Sequence, residues 1–241
     1  MAPDPKLLAL DCAGDRLVVA LVLGERQHGA DEPGAARASA RALPLVQELL
    51  RAAGVAFGAL DAIAFGRGPG AFTGLRTACS IAQGLAFGLD RPVLALDSLA
   101  LHAEDAWAQH GARAQALWVA MDARMDEAYA AAYEREGDAW RTVSEPALWT
   151  LPALAAAWRA APPACVAGNA AAAFGARLPC DGALVVGTPA DRVAALARLA
   201  RAAWSRAEGQ PAEAAMPLYL RDKVALTTRE REERAAAKVG A

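Results

Sequence analysis

Histidine is the scarcest chemistry-bearing residue in this chain. There are three in 241 residues, His28, His102 and His110, and none sits in an H-E-x-x-H pattern or between carboxylates. A catalytic zinc or iron site therefore has no visible ligand set. Cysteine is nearly as rare: Cys12, Cys79, Cys165 and Cys180 stand far apart and never as C-x-x-C. That argues against a zinc ribbon and a disulfide scaffold and fits a reducing compartment. No window reaches the roughly eighteen uninterrupted apolar residues of a membrane span. The opening Met1-Ala2-Pro3-Asp4-Pro5 carries no basic n-region, so the expectation is a soluble, cytoplasmic protein without membrane contact. A basic field is missing too. The formal charge is −2 and the pI near 6.0, which leaves phosphate-backbone contacts as a minor source of affinity. Any nucleic acid is expected to be gripped by a partner.

What the chain does have is apolar mass. Hydrophobic residues make up 55 % and charged residues 22 %, the balance of a folded chain long enough for one large domain or two small ones. Its most informative stretch runs from Gly66 to Gly88. The apolar Ala62-Ile63-Ala64-Phe65 reads as a buried strand, Gly66, Gly68 and Gly70 give the backbone freedom to turn, and Pro69 stiffens the turn. Leu75, Cys79, Ile81, Ala82 and Leu85 then recur at helical spacing, giving a helix of about four turns. This helix has almost no polar face. Gly74, Ala78, Ala82 and Ala86 stand four apart as a small-residue ridge, so the expectation is a helix covered nearly all round, its ridge open to close approach by a second helix.

The loop before that helix is not a P-loop, because Leu75-Arg76 stands where Gly-Lys-Ser/Thr would be needed. A dinucleotide fingerprint fits better: Gly66-x-Gly68-x-x-Ala71 matches GxGxxG/A, with Asp97 closing the next apolar run. Against it, Asp97 lies beyond the expected spacing of roughly twenty residues. A peptidase is a further alternative, but Ser80 and Cys79 sit inside the apolar helix with no histidine at a recognisable spacing, so no residue is assigned a catalytic role. Asp122, Asp126 and Glu127 read as solvated turn carboxylates around which Arg124 can pair, rather than as an acid/base set.

The near-continuous run Phe65-Gly66-Arg67-Gly68-Pro69-Gly70-Ala71-Phe72-Thr73-Gly74-Leu75-Arg76, with Ile81-Ala82-Gln83-Gly84-Leu85-Ala86 behind it, resembles the signature of the bacterial TsaB (YeaZ) family. The resemblance extends to Leu10-Asp11, Leu43-Pro44-Leu45-Val46, Asp122-Ala123-Arg124 and Pro217-Leu218-Tyr219-Leu220-Arg221, spanning most of the chain with a weaker second half. It implies a two-lobed α/β fold of the actin/Hsp70-like ATPase (ASKHA) type with a reduced second lobe. The expected lobes are residues 1–110 and 111–225, followed by a charged, disordered tail over 226–241. In that superfamily the first hairpin cradles a nucleotide phosphate. Here Lys6–Asp11 and Arg16–Leu23 form the hairpin, but Cys12, Ala13 and Gly14 replace its hydroxyls, so Asp11 is at most a vestigial nucleotide contact. Gly168 stands alone where a glycine-rich adenosine turn would be. In the related TsaD family the first helix carries metal-binding histidines, whereas this chain has Ala38-Ser39-Ala40-Arg41-Ala42.

The resemblance also implies a function. The chain would be a non-catalytic partner subunit of a TsaD-like paralogue in threonylcarbamoyl transfer to the adenine beside the anticodon of tRNA, working with a TsaE-like ATPase. It would pair with itself when TsaD is absent. ATP and a metal would reside on the partners, with none in this chain. The expected interface draws on Leu43, Val46 and Leu50 of the first helix and on Phe72, Thr73, Leu75, Arg76, Ala78, Ile81, Ala82 and Leu85. The family-motif loop comprises Gly66, Arg67, Gly68, Pro69, Gly70 and Gly74. Elsewhere the pattern predicts helices over Leu151–Ala160 and from Pro189 to about Glu208, and a segment 217–221 that packs back on the body. Ser98 is expected as an N-cap, with His102 and His110 on a solvent face.

Overall fold

Strands β1 (Lys6–Asp11) and β2 (Arg16–Leu23) are apolar at consecutive positions because both faces of their sheet are covered. Leu8, Leu10, Val19 and Leu21 point to one side, and Leu7, Ala9, Val18 and Ala20 to the other. The computed structural model describes residues 4–34 and 38–221; the expected tail at 226–241 lies outside them. β3 (Arg26–Pro33) extends the hairpin to a meander, and β4 (Ala62–Gly68) and β5 (Val93–Asp97) join parallel to β1, in the order β3-β2-β1-β4-β5. The polar edge strand β3 escaped the apolar pattern because its carboxylates are held in ion pairs, Asp31 with Arg16 and Arg192 and Glu32 with Arg41, rather than in an apolar core. Its Gly29 has a packing reason: an added Cβ would stand 2.4 Å from the carbonyl oxygen of Val19 and from Val193 Cγ1.

The second sheet repeats the plan. β6 (Ala116–Asp122), β7 (Glu127–Glu136) and β8 (Ala139–Thr150) form an antiparallel meander, and β9 (Cys165–Ala167) and β10 (Leu184–Val186) add parallel to β6. The order is β10-β9-β6-β7-β8, so the two lobes share one topology. This duplicated meander-plus-parallel sheet is the expected two-lobed ATPase-type fold. Its second copy is reduced, with β9 and β10 three residues each.

Helices fill the layers. α1 (Ala38–Ala53) and α2 (Phe72–Leu89) cover the outer face of the first sheet, and α4 (Leu151–Ala160) and α5 (Ala170–Phe174) the outer face of the second. Between the sheets lie α3 (Ser98–His110) and α6 (Arg192–Ser205). α1 starts at Ala38 and carries Pro44 inside it. α6 follows the second sheet in sequence but packs Ala195, Leu196, Ala197, Ala200 and Ala203 on the inner face of the first. α3 lies beside it, its Leu99, Ala103 and Ala106 against Leu117, Val119 and Tyr133. Glu104 of α3, buried, ties the layers together. It accepts hydrogen bonds from Trp140 Nε1 at 2.8 Å and Arg198 Nε at 2.6 Å, and pairs with Arg135.

Two local expectations are corrected. The N-cap of α3 is Asp97, which accepts from the Leu99 backbone N–H at 2.9 Å, while Ser98 is buried in the helix's first turn. His102 is half-buried rather than on an open solvent face. Its Nδ1 is sealed without a partner among the described residues, and burial, with Arg192 nearby, lowers its pKa to about 4 against the opposing pull of Asp105 and Asp15.

Candidate functional site

The family-motif loop closes on the chain itself. Asp11, at the end of β1, is 7 % exposed. Its Oδ2 accepts from Ser98 Oγ at 2.6 Å and its Oδ1 from the Ala13 backbone N–H at 2.9 Å, while Ser98 Oγ accepts from the Gly68 N–H at 3.1 Å. Burial pushes the Asp11 carboxyl above its ordinary pKa, opposed by those two donors and by Arg192. One carboxylate thus joins the first hairpin, the glycine loop and α3.

Each glycine of the motif is explained by what it touches. A Cβ on Gly66 would stand 1.7 Å from Asp11 Oδ2, and one on Gly68, at φ 109°, would stand 2.9 Å from Leu75 Cδ1 and 3.1 Å from the carbonyl oxygen of Leu218. On Gly70 it would meet the Ala13 carbonyl at 2.3 Å, and on Gly74 that of Cys12 at 1.8 Å. The Ala71 N–H donates to Ala13 at 2.7 Å. Pro69 is buried with them, and the Gly68–Pro69 peptide is cis. These contacts pack the loop directly on its own hairpin. Asp97 is likewise engaged, accepting from Tyr133 Oη at 2.5 Å, and its carboxyl is pushed up by burial against the pull of that hydroxyl. The dinucleotide reading of Gly66, Gly68 and Ala71 is therefore replaced by a packing role.

The lone Gly168 has the same kind of explanation: at φ 104° its missing side chain admits the Ala120 carbonyl, 2.3 Å from an added Cβ. Asn169 Oδ1 accepts from the Asp122 N–H at 2.7 Å. In the β6–β7 turn Arg124, Met125 and Asp126 have φ of 66°, 60° and 59°, three successive left-handed residues without a glycine, each costing on the order of 1–2 kcal/mol. Among the described residues, no group of three His, Cys, Asp or Glu side chains gathers as a metal site. Arg67 is exposed and lines a cleft of about 160 Å³ between the lobes, with Asp97, Tyr133, Trp140 and Arg206.

α2 divides into two faces, which corrects the expected interface. Gly74, Leu75, Ala78, Cys79, Ala82 and Ala86 are buried against the helix's own sheet, as are Val46 and Leu50 of α1. The small-residue ridge lets α2 approach the Cys12 backbone, so Val46, Leu50, Leu75, Ala78 and Ala82 are core rather than surface. Open on the outer side are Leu43, 40 % exposed, with Thr73 and Arg76, while Phe72, Ile81 and Leu85 are half-buried. A second row, Ser80, Gly84 and Gly88, also runs four apart along this outer face, beside Phe87, which is 81 % exposed. An added Cβ on Gly84 or Gly88 meets nothing within 4 Å. An interior helical glycine costs about 1 kcal/mol relative to alanine, and no contact among the described residues accounts for either. The helical period of these three small residues was visible in the sequence; which of two small rows faced inward was not.

At the N-terminal turn of α2 the Arg76 guanidinium carbon stands 3.7 Å from the centre of the Phe72 ring, and Arg76 Nε donates to Tyr219 Oη at 3.1 Å. Segment 217–221 thus packs back on the body as expected.

Residues 32–164 match the protein family described as TsaD: tRNA N6-adenosine threonylcarbamoyltransferase. The chain is 43 % identical over 131 residues to the tRNA threonylcarbamoyladenosine biosynthesis protein TsaB of Haemophilus influenzae, a match covering 54 % of each chain. It is 38 % identical over 131 residues to that of Escherichia coli, covering 54 % of this chain and 56 % of the relative. The matches thus span about half the length of these curated relatives. Among solved structures, YeaZ from Pseudomonas aeruginosa superposes with a TM-score of 0.80 at 40 % identity, covering 90 % of this chain and all of the other. With that identity over a whole chain, the duplicated topology and the glycine loop packed on its own hairpin, the chain belongs to the TsaB (YeaZ) family.

Proposed function

We propose that this chain is the non-catalytic partner subunit of a TsaD-like paralogue in threonylcarbamoyl transfer to the adenine beside the anticodon of tRNA, docking through the outer face of α1 and α2. The observation that carries the docking is the row Ser80, Gly84 and Gly88, where two helical glycines open onto empty space beside Phe87, Ile81 and Leu85. Small residues let a second helix come close, and the flanking apolar side chains supply what is buried when it does. The names of the relatives supply the pathway, and the match to the TsaD family supports a partner of the same fold. In this reading ATP and the metal belong to the TsaD-like and TsaE-like subunits, tRNA is held mainly by the assembly, and the complex works in the cytoplasm. In the absence of TsaD the same face pairs two copies of this chain.

The test is size-exclusion chromatography with light scattering on the chain alone and mixed with the TsaD-like protein of the same organism. The expected change is from homodimer to a one-to-one complex. Gly84→Trp should abolish both pairings with the fold intact, since its Cβ points into open space; Ala78→Trp would instead break the lobe. A monomer indifferent to the paralogue, or undiminished pairing by Gly84→Trp, overturns the proposal.

A further inference from the structure

Residues 215–221 run from one lobe to the other. At the first lobe, Ala215 is buried in the core under α2 and its carbonyl accepts from Cys79 Sγ at 3.2 Å. The Leu218 N–H donates to the Arg67 carbonyl at 2.7 Å, and the Tyr219 ring lies 4.8 Å from that of Phe72, with its hydroxyl taking the Arg76 bond. Two residues later the chain is in the second lobe. Arg221 donates to Glu127 Oε2 at 2.6 Å and to the Ala123 carbonyl at 2.8 Å, and its other nitrogen lies 3.0 Å from Met125 Sδ.

Those three contacts are not scattered. Ala123 and Glu127 bracket the three left-handed residues Arg124, Met125 and Asp126, and the Glu127 carbonyl also receives the Ala123 N–H at 2.9 Å. One guanidinium therefore grips both sides of a turn whose backbone is strained. The Arg221 side chain is 14 % exposed, so its ion pair is shielded more than a surface pair. The opposite end of the segment is fixed to the glycine loop and to the first turn of α2. The segment therefore spans from the glycine loop to the turn of the second hairpin.

We propose that residues 215–221 are a clasp that holds the two lobes in one relative setting and mechanically couples the β6–β7 turn to the N-terminal turn of α2. Loosening either end loosens the other. The consequence is that an event at the turn of the second lobe is felt at the edge of the α1/α2 face, and the reverse. The inference stands on the chain's own contacts and does not depend on which partner uses that face.

The test is hydrogen–deuterium exchange of the full chain, alone, in Arg221→Ala and Tyr219→Ala, with a thermal melt to confirm folding. Arg221→Ala cuts the clasp at the second lobe, and exchange should rise by about ten-fold or more both at residues 122–127 and at residues 71–77 of the first lobe. Tyr219→Ala cuts it at the first lobe and should raise exchange at 122–127 as well. The central strands β1 and β4 and residues 116–121 of β6 should be unchanged. If the rise stays at the end whose contact was removed, the segment is passive packing and the proposal fails. Should Arg221→Ala not fold, Arg221→Lys, which keeps the charge but not the forked hydrogen bonds, is judged by the same criterion. Failure here would leave the docking result untouched, because that is read from complex mass.

Discussion

The same substitution made twice in one helix should have opposite effects. Gly74 and Gly84 both lie within α2, and helix propensity alone predicts that alanine at either stabilises the fold by about 0.5–1 kcal/mol. At Gly84 nothing stands within 4 Å of the new methyl, so the propensity gain should survive. At Gly74 the methyl would be 1.8 Å from the Cys12 carbonyl oxygen and 2.9 Å from its carbon. Both are backbone atoms of the first hairpin and cannot swing aside as the tip of a long side chain does. Relief requires α2 to lift from the sheet by more than 1 Å, loosening Leu75, Ala78, Cys79 and Ala82 together. Overpacking of this kind costs typically 1–3 kcal/mol, and a backbone clash belongs at or above the upper end. After the propensity gain, Gly74→Ala should lose about 2 kcal/mol, lowering the melting temperature by roughly 4–8 °C for a chain of this size. Gly84→Ala should raise it by about 1–4 °C. Thermal denaturation followed by circular dichroism at dilute concentration measures both. Two shifts of the same sign would refute the assignment of the inner and outer rows of α2.

Removing the Ser98 hydroxyl by Ser98→Ala leaves a buried carboxylate short of a donor and the Gly68 N–H short of an acceptor, a loss of about 2–3 kcal/mol at neutral pH by urea denaturation. The Asp11 carboxyl is already raised by burial. Such a group favours folding most below its unfolded pKa, and the advantage is lost as pH rises through the folded value. Ser98→Ala raises that folded value further, so its deficit should shrink as pH falls toward 4. His102 has the opposite sign. Its pKa is lowered to about 4, so the stability it lends is present above the unfolded value near 6.5 and lost as pH falls through 4. His102→Leu should reduce the change in stability between those limits by on the order of 3 kcal/mol, and an imidazole NMR titration midpoint above 6 would refute the assignment. Glu104→Gln removes the charge facing Arg135 and Arg198 and should cost about 3–5 kcal/mol, read as a lower urea midpoint.

Much of this architecture is legible in the residues, and where it is not the reason is physical. The strand ending in the glycine loop, the helix after it, the first hairpin and α4 follow from apolar runs punctuated by glycine and proline, which are local signals. β3 was missed because an edge strand facing solvent needs no apolar alternation. The faces of α2 were misassigned because two small-residue rows, Gly74-Ala78-Ala82-Ala86 and Ser80-Gly84-Gly88, share one helix. The Cys12 carbonyl that decides between them lies some sixty residues earlier in the chain. His102 and Ser98 were misread for a similar reason: what surrounds them comes from α6 and from Asp11, distant in sequence. The glycines were correctly marked as special, but their partners, Asp11, Cys12, Ala13 and Leu218, could be named only from the fold.

The position of α6 imposes an order of assembly. The inner face of the first sheet, with Leu7, Ala9, Val18, Val22 and Leu94, is covered by a helix that ends at Ser205. At about 5–20 residues per second, a ribosome finishing β5 still has on the order of ten seconds of synthesis before that helix emerges. Through that interval the nascent first lobe carries one clothed face and one bare one. It can be completed only after the second sheet, made later, is largely threaded, so the two halves are born in sequence but finish together.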